Sequence, residues 1–168
     1  ISLTWQEEVY AHHQFHVDKD STIYFPTLFP EYSSPYSDFL GSSGAALYSG
    51  LNFRDEGFAM LDKNGNQIRY SLTKILKSNN LIHLILAGPL EPDPFHVNSA
   101  YPATENYFSS YIKTGDVILS LRHKSMLIIY RPKEDKIIWY KSGPWLNQHD
   151  ASFDDRGKIL LFNNNNIS

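Results

Sequence analysis

The sequence predicts an all-β fold of repeated sheets, and three observations support this class. First, short runs rich in Ile, Leu, Phe and Tyr, either apolar or alternating, are separated by turn residues. These predicted strands cover residues 22–24, 57–61, 67–70, 116–121, 126–131, 136–140 and 158–162. Second, part of the sequence is repeated. Third, each copy of the repeat carries a histidine at the same place.

The repeat is clearest between residues 12–25 and 148–161, which align without a gap. In both copies an Asp follows the histidine, His13 or His149, by five residues, and an Ile follows it by ten. A third copy starts at His96 and reaches its next strand only after eleven extra residues. A repeated β unit with a histidine at one fixed place predicts a radial fold, the β-propeller, which gathers several imidazoles around one axis.

Tryptophans precede the repeated units at a similar distance. Trp5 precedes His13 by eight residues and Trp139 precedes His149 by ten, as expected if the outer strand of one blade leads into the inner strand of the next. We therefore expect Trp139 to pack between blades. The chain is predicted to be one partial propeller domain of four-stranded blades, with units at about 13–95 and 96–148 and an incomplete unit at 149–168.

Local signals add two hairpins, a helix and a long connection. Asn64-Gly65 predicts a hairpin turn at 62–66, because this pair readily takes positive φ values, and Pro132 predicts a second hairpin at 132–135. Residues 71–77 read as a short helix that is capped by a Ser or a neighbouring residue. Its apolar face would consist of Leu72, Ile75 and Leu76. The stretch 25–52, rich in Pro, Ser, Gly and Tyr, is predicted to be a connection that covers one end of the sheets.

Composition excludes several classes of function. The chain of 168 residues is 42% hydrophobic and 14% aromatic, as in a globular domain with a core. Its net charge of −3, with lysines interspersed among acids, does not favour nucleic acid as a partner. The absence of cysteine excludes disulfides, thiolate catalysis and cysteine-based zinc sites within this stretch. The longest apolar run, 81–86, is interrupted by His83, so no membrane segment is predicted.

The two ends of the sequence suggest a piece of a longer chain. Residues 1–5 read as a strand already under way, without an initiating Met or a signal peptide. The other end follows the first strand of the third repeat, which would lack partners. We expect such a piece to be inactive in isolation, because an open propeller has only part of its pocket walls.

Several segments resemble the bacterial arylsulfate sulfotransferases, which are six-bladed propeller enzymes that need no nucleotide sulfate donor. The resemblance is carried by residues 137–150 continuing to 157–164, and by 93–99 followed by 118–125. His12-His13 with Asp18 looks like a third motif of that family. The three motifs occur in order over most of the chain and correspond to about half of such a propeller. The insertion after Ser99 and the Tyr-rich loop after Pro26 depart from simple blades.

The resemblance implies a role for each of five residues. His149 would take the sulfuryl group from an aryl sulfate, form a sulfohistidine and pass the group to a phenol, with ping-pong kinetics. His96 and His13 would face it across the axis. Arg122, supported by Asn98, would bind the sulfuryl oxygens. Neither a metal nor a cofactor is implied, and family members are typically exported to the periplasm. The sequence leaves open whether the full-length protein forms a homodimer.

Two other functions are compatible with the same residues. Three converging imidazoles are also a ligand set for catalytic zinc in a hydrolase, although a nearby Arg122 would oppose metal binding. The fold could also be a noncatalytic propeller that serves as a binding or scaffold module.

The remaining histidines are predicted to have packing or surface roles. They are His12, His16, His83 and His123. Strand alternation would place His12 and His13 on opposite faces. Asp18 and Asp154 are expected to belong to the turns before their strands rather than to catalysis.

Overall fold

The computed structural model describes residues 9–35, 52–87, 91–108 and 110–165, and for 30–35 it describes the backbone alone. The strand expected at residues 1–5, including Trp5, lies outside the described residues. No helix of the described part is long and apolar enough to cross a membrane. The described fold is mostly β and contains two four-stranded antiparallel sheets and one further hairpin.

Sheet 1 comes first in the chain, and each of its strands pairs antiparallel with the next. Its strands are β1 (His16–Val17), β2 (Ile23–Pro35), β3 (Asn52–Leu61) and β4 (Gln67–Ser71). Helix α1 (Leu72–Ser78) follows directly, and a short 3-10 turn occupies Ile82–Ile85.

Sheet 2 repeats the same strand order. Its strands are β5 (Val97–Pro102), β6 (Val117–Leu121), β7 (Met126–Arg131) and β8 (Lys136–Ser142). The third unit is a hairpin of β9 (His149–Phe153) and β10 (Ile159–Phe162). Strand β5 contacts β1 and β2 of sheet 1 and also β9 of the hairpin, so the first strands of the three units lie close together.

The predicted strands are confirmed with shifted ends, but the connection predicted at 25–52 is wrong in its first part. Strand β2 continues from Ile23 to Pro35 and pairs with β3 through this stretch. Its prolines and serines suggested a loop, whereas Phe25 and Phe29 are buried, at 3% and 4% exposure, and hold the segment against β3. Tertiary burial therefore outweighs local turn propensity here. Residues 36–51 lie outside the described part.

Three hairpin turns are stabilised by an aspartate that makes the same hydrogen bonds in each. The Oδ1 atoms of Asp18, Asp62 and Asp154 each accept hydrogen bonds from the backbone N–H groups two and four residues later, at 2.7–2.9 Å. This confirms the expectation that Asp18 and Asp154 belong to turns. The two predicted hairpins are also present, with Gly65 at φ 85 in one and a 3-10 turn over Pro132–Glu134 in the other.

Helix α1 contributes to the core between the two sheets. Ser71 caps it by accepting a hydrogen bond from the Lys74 backbone N–H at 3.1 Å, as the sequence predicted. Its buried face consists of Leu72, Ile75 and Leu76. This face joins a cluster that includes Phe58 of sheet 1 and Leu119 of sheet 2. Burial of this apolar surface is the main force that joins the sheets.

A second core joins sheet 2 to the hairpin. Trp139 packs against a buried cluster that contains Ile129 of sheet 2 and Phe153 of the hairpin, which confirms its packing role. The residues between β5 and β6 contribute Tyr107 and Ile112 to the same cluster, so the insertion predicted after Ser99 is packed against the fold. The two cores hold the starts of β1, β5 and β9 at one end of the structure.

Candidate active site

The structure brings together the three histidines of the repeat. His13 precedes β1, His96 immediately precedes β5, and His149 is the first residue of β9. Nε2 of His13 lies 3.2 Å from Nε2 of His96, and the His13 and His149 ring centroids are 6.0 Å apart. The predicted convergence of the imidazoles is therefore present, and it follows from packing the first strands of the three units side by side.

The backbone around these histidines is unusual. His13 and His96 have φ values of 60° and 52°, in the left-handed region. His149 does not, but its neighbours Asn147 and Asp150 do, at 50° and 54°. Non-glycine residues in this region are uncommon and are concentrated at functional sites, where the surrounding structure maintains them. The backbone at this end is therefore held in specific conformations that direct the histidine side chains.

His96 is held by Asp93. The backbone N–H of His96 donates to Oδ1 of Asp93 at 3.0 Å, and Nδ1 of its ring lies 2.6 Å from Oδ2. Burial raises the pKa of Asp93, but hydrogen bonds from His96 and Glu56 outweigh that effect and hold the pKa below its ordinary value. An ionised Asp93 accepts the Nδ1 proton and leaves Nε2 of His96 directed at His13.

His149 is partly buried at the first position of β9. Its Nδ1 atom lies 3.2 Å from the Asn147 carbonyl oxygen and 3.0 Å from Nδ2 of Asn164, which donates to the same oxygen at 2.8 Å. Burial lowers the pKa of His149, and the charges of Arg122 and His96 lower it further. At neutral pH the ring is therefore neutral. In the tautomer that donates its Nδ1 proton to the Asn147 carbonyl oxygen, Nε2 carries the free lone pair. In the tautomer whose Nδ1 accepts from Asn164, Nε2 carries the proton.

A cavity of about 360 Å³ opens beside His149. It is lined by His13, Gln14, Asn98, His149, Asp150 and Phe162. Gln14 donates a hydrogen bond to Asp150 across one wall, which joins the segment before β1 to β9. A volume of roughly 300–1,000 Å³ is usual for small-molecule sites. The predicted site residues His13, Asn98 and His149 therefore share one ligand-sized space.

Asn98 and Arg122 occupy different places in this arrangement. Asn98 is 2% exposed, and its Nδ2 atom donates to the Gln148 carbonyl oxygen at 2.8 Å. Its Oδ1 atom is buried and finds no hydrogen-bond partner among the described residues. Arg122 follows β6, and its backbone N–H donates to the His96 carbonyl oxygen. Burial is the largest cause of the lowered pKa of His13, and the charges of His96, His149 and Arg122 lower it further. The Arg122 charge also adds to the lowered pKa of His149.

Two further histidines reach this cluster, contrary to the alternation expected from sequence. The His12 and His13 rings meet at 5.0 Å, because residues 12 and 13 do not form a strand. Burial lowers the pKa of His12 to about 4, helped by the charges of His13 and His96. His123 lies 4.8 Å from the His96 ring, and its Nδ1 atom donates to the Asp93 carbonyl oxygen at 2.6 Å.

The other two histidines have packing or surface roles, as predicted, although Nε2 of His16 lies 4.0 Å from Oδ1 of Asp150, which lines the cavity. His16 packs on Tyr101, with ring centroids 4.6 Å apart, and His83 is exposed. The sequence offered no direct signal for His123. His123 joins the cluster because the segment that contains Asp93 packs against the residues between β6 and β7.

Asp93, His96 and His123 also offer one ligand atom each within 4.8 Å of one another. Their mutual hydrogen bonds already use Nδ1 of both rings and Oδ2 of Asp93. The Arg54 guanidinium lies 3.7 Å from the same Oδ2 atom and opposes a further cation. Hydrogen bonding thus accounts for the arrangement, and we assign no metal to it.

A family model for arylsulfotransferase (ASST) matches residues 4–168, almost the entire chain. The chain belongs to the arylsulfotransferase family. Family membership indicates aryl sulfotransferase activity, with aryl sulfates and phenols as the substrate class. Neither a curated protein nor a solved structure matches the chain significantly.

In this arylsulfotransferase-family chain, the imidazole cluster and its cavity lie within the matched region. The segments quoted above for the family resemblance contain His13, His96, Arg122 and His149. Asp93 also lies in one of these segments, whereas Glu56 lies outside all of them.

Proposed function

We propose that His149 is a nucleophile that carries a sulfuryl group between an aryl sulfate and a phenol, through a covalent sulfohistidine. The observation that carries this proposal is the convergence of His13 and His96 beside a partly buried His149 whose Nδ1 atom faces the Asn147 carbonyl oxygen. Its lowered pKa supports a neutral, nucleophilic ring at neutral pH. Membership of the arylsulfotransferase family supplies the substrate class.

In the first half-reaction, the Nε2 lone pair of His149 forms the N–S bond as the S–O bond to the aryl group breaks. The phenolate leaves with the bonding electrons and takes a proton from the His13–His96 pair, which enters this step with one ring as an imidazolium and leaves it with both rings neutral. In the second half-reaction, an acceptor phenol returns a proton to that pair, and its oxygen forms a new S–O bond. The N–S bond breaks, and its electrons return to Nε2. The two steps share one intermediate and therefore follow ping-pong kinetics.

Charge stabilisation falls to Asn98, which lines the cavity, and to Arg122, which is not among its lining residues but acts electrostatically on His13 and His149. Negative charge on the sulfuryl oxygens and the leaving phenolate requires donors that are already in position. The Arg122 guanidinium supplies a permanent positive charge near His13 and His149. Asn98 uses one amide N–H for the Gln148 carbonyl and has a second N–H to offer to a sulfuryl oxygen.

We further propose that the two sheets and the hairpin are successive units of a β-propeller. The repeated strand order, the equivalent aspartate turns and the adjacent first strands support this arrangement. The units would be residues 13–95, 96–148 and part of a third at 149–168, about half of six blades. Export of the full-length protein to the periplasm belongs to the same proposal, since it follows from the family resemblance.

The test is to trap the intermediate in the full-length protein. The protein is incubated with nitrophenyl sulfate and no acceptor, and its peptides are examined by mass spectrometry. We expect one equivalent of nitrophenol and an alkali-stable, acid-labile sulfuryl adduct on the His149 peptide. The adduct should be lost in His149→Ala and retained in His83→Ala, an exposed histidine away from the cluster.

Two outcomes would contradict the proposal. Absence of both adduct and nitrophenol from folded protein would favour a noncatalytic binding module. Nitrophenol release without an adduct, abolished by a chelator and restored by zinc, would favour a metal-dependent hydrolase.

A further inference from the structure

Glu56 is a buried acid that lies behind the histidine cluster. It belongs to β3 of sheet 1 and is 1% exposed, yet it carries an ionisable carboxyl group. Its Oε2 atom accepts a hydrogen bond of 2.8 Å from the backbone N–H of Val97, the residue after His96. Its carboxyl group also shares a hydrogen bond with Asp93. Glu56 thus connects sheet 1 to the segment that carries His96.

Two carboxyl groups in hydrogen-bond contact share one proton, because two negative charges at that distance repel each other strongly. The environment decides which group keeps it. Asp93 accepts two hydrogen bonds from His96 and has Arg54 nearby, so its ionised form is favoured. Burial, and then the charge of Asp93, raise the pKa of Glu56 to about 8. The proton therefore resides on Glu56 at neutral pH.

We propose that Glu56 is a positioning residue of the active site: as a neutral acid it donates a hydrogen bond to Asp93 and so holds His96 toward the departing phenolate. The proposal rests on the sulfuryl transfer proposed above. One Glu56 oxygen accepts the Val97 N–H, and the other carries the proton donated to Asp93. Asp93 in turn accepts from Nδ1 of His96, and Nε2 of His96 faces His13.

Other charged and titratable groups face this chain of hydrogen bonds from neighbouring elements. They are Arg54 of β3, His12 and His13 before β1, His123 after β6, and Glu91, which lies 3.8 Å from His123. These groups act on Asp93 and on the histidines. In the described part of the chain, the groups that hydrogen-bond the Glu56 carboxyl are Val97 and Asp93.

The test exploits the fact that a glutamine has the same shape and hydrogen-bonding pattern as a neutral glutamic acid. In Glu56→Gln, the amide oxygen would accept from Val97 and the amide N–H would donate to Asp93. In Glu56→Met, the volume is similar, but both the donor to Asp93 and the acceptor of the Val97 N–H are lost. Single-turnover formation of the His149 adduct is measured in the full-length protein with nitrophenyl sulfate, a good leaving group, and with phenyl sulfate, a poor one.

We expect the rate of adduct formation in Glu56→Gln to remain within about threefold of the wild-type rate with both sulfates. Glu56→Met should slow adduct formation from phenyl sulfate about 10- to 100-fold, and adduct formation from nitrophenyl sulfate less than about threefold. The difference is expected because proton donation matters most for a poor leaving group. Asp55→Asn is the matched control. Asp55 is the adjacent buried acid on β3, but it bonds Ser71 and Thr73 at the start of α1, so its loss should lower stability without this selectivity.

The outcomes separate this inference from the proposed function. If wild type forms no adduct, the sulfuryl transfer itself fails. If wild type forms the adduct but Glu56→Met slows adduct formation from both sulfates equally, Glu56 is merely structural and the inference is overturned. It is also overturned if Glu56→Gln is as slow as Glu56→Met, since Glu56 would then need to ionise. Should Glu56→Met not fold, Glu56→Asp, whose shorter side chain withdraws the donor from Asp93, should show the same selective loss.

Discussion

Nδ2 of Asn98 donates a hydrogen bond of 2.8 Å to the carbonyl oxygen of Gln148, the residue before His149. Asn98 lies two residues after His96, so this bond ties the strand that follows one histidine to the start of the strand that carries another. One residue further along β5, Oγ of Ser99 donates to the Ala151 carbonyl oxygen at 2.8 Å. Two adjacent side chains thus hold β5 against β9, one of them next to the site.

Asn98 and Ser99 allow a matched test of whether Asn98 positions His149. Asn98→Ala and Ser99→Ala should each lower the free energy of unfolding by about 1–3 kcal/mol, because each removes a buried hydrogen bond. In Asn98→Ala the Gln148 carbonyl oxygen keeps the longer contact of 3.4 Å with Oγ of Ser120. Asn98→Ala should also slow adduct formation on His149 by about 10- to 100-fold, since small displacements at a reacting group are costly. Urea unfolding and single-turnover rates measure the two effects. Equal rates in both variants would exclude a site-specific role for Asn98.

Arg122 should act through its charge. Arg122→Gln removes a cation that lowers the pKa of His13 and His149, so both pKa values should rise. The pKa of His149 should stay below 6.5, because burial, its largest cause, remains. NMR titration of the histidine ring protons measures this. Loss of an oxyanion donor should also slow adduct formation by about 10²- to 10³-fold. The exposed Arg156→Gln is the control, and unchanged pKa values in Arg122→Gln would contradict an electrostatic effect of Arg122 on the two histidines.

Glu56 should make the stability of the protein depend on pH. Its pKa rises from an ordinary 4.5 to about 8 on folding. Between these values the unfolded chain releases the proton while the folded protein keeps it, so this group's contribution to stability falls as pH rises, by at most about 1.4 kcal/mol per pH unit. Glu56→Gln cannot titrate. Its unfolding free energy relative to wild type should therefore increase from pH 4.5 to pH 8, and a constant difference would contradict a neutral Glu56.

Gly157 should not tolerate a side chain. It has φ +76°, and an added Cβ would lie 2.6 Å from Cβ of Tyr107. Gly157→Ala should lower the unfolding free energy by about 1–3 kcal/mol, the usual cost of a left-handed non-glycine residue, and the steric contact adds to this. Ser21 occupies the equivalent repeat position at φ 65°, so Ser21→Gly should change stability by less than about 1 kcal/mol. Thermal unfolding of both variants checks this, and equal stability of Gly157→Ala and wild type would contradict the described contact.

Much of the local structure could be predicted from sequence because its causes are local. The aspartates at positions 18 and 154 accept backbone hydrogen bonds within four residues, and Ser71 caps its own helix. The repeat also predicted that His13, His96 and His149 meet, since equivalent positions in packed repeated units lie close in space.

Some features were beyond local signals. Strand β2 was interpreted as a connection after Phe25, because its turn-forming residues gave no sign that Phe29 would be buried against β3. The hydrogen bond between Glu56 and Asp93 joins residues that are distant in the chain, and no spacing rule relates them. His12 and His123 also reach the cluster through contacts between distant segments, which local patterns do not predict.

Sequence alone was sufficient for the β class, the turns, the helix and the identity of the three central histidines, because these depend on local hydrogen bonding and on an internal repeat. Tertiary structure alone decided what surrounds each histidine. Sheet packing placed Asp93 against His96, buried Glu56 behind Asp93 and directed Asn98 to Gln148. Such contacts set the protonation and the direction of the imidazoles, because burial and partner charges act through space rather than along the chain.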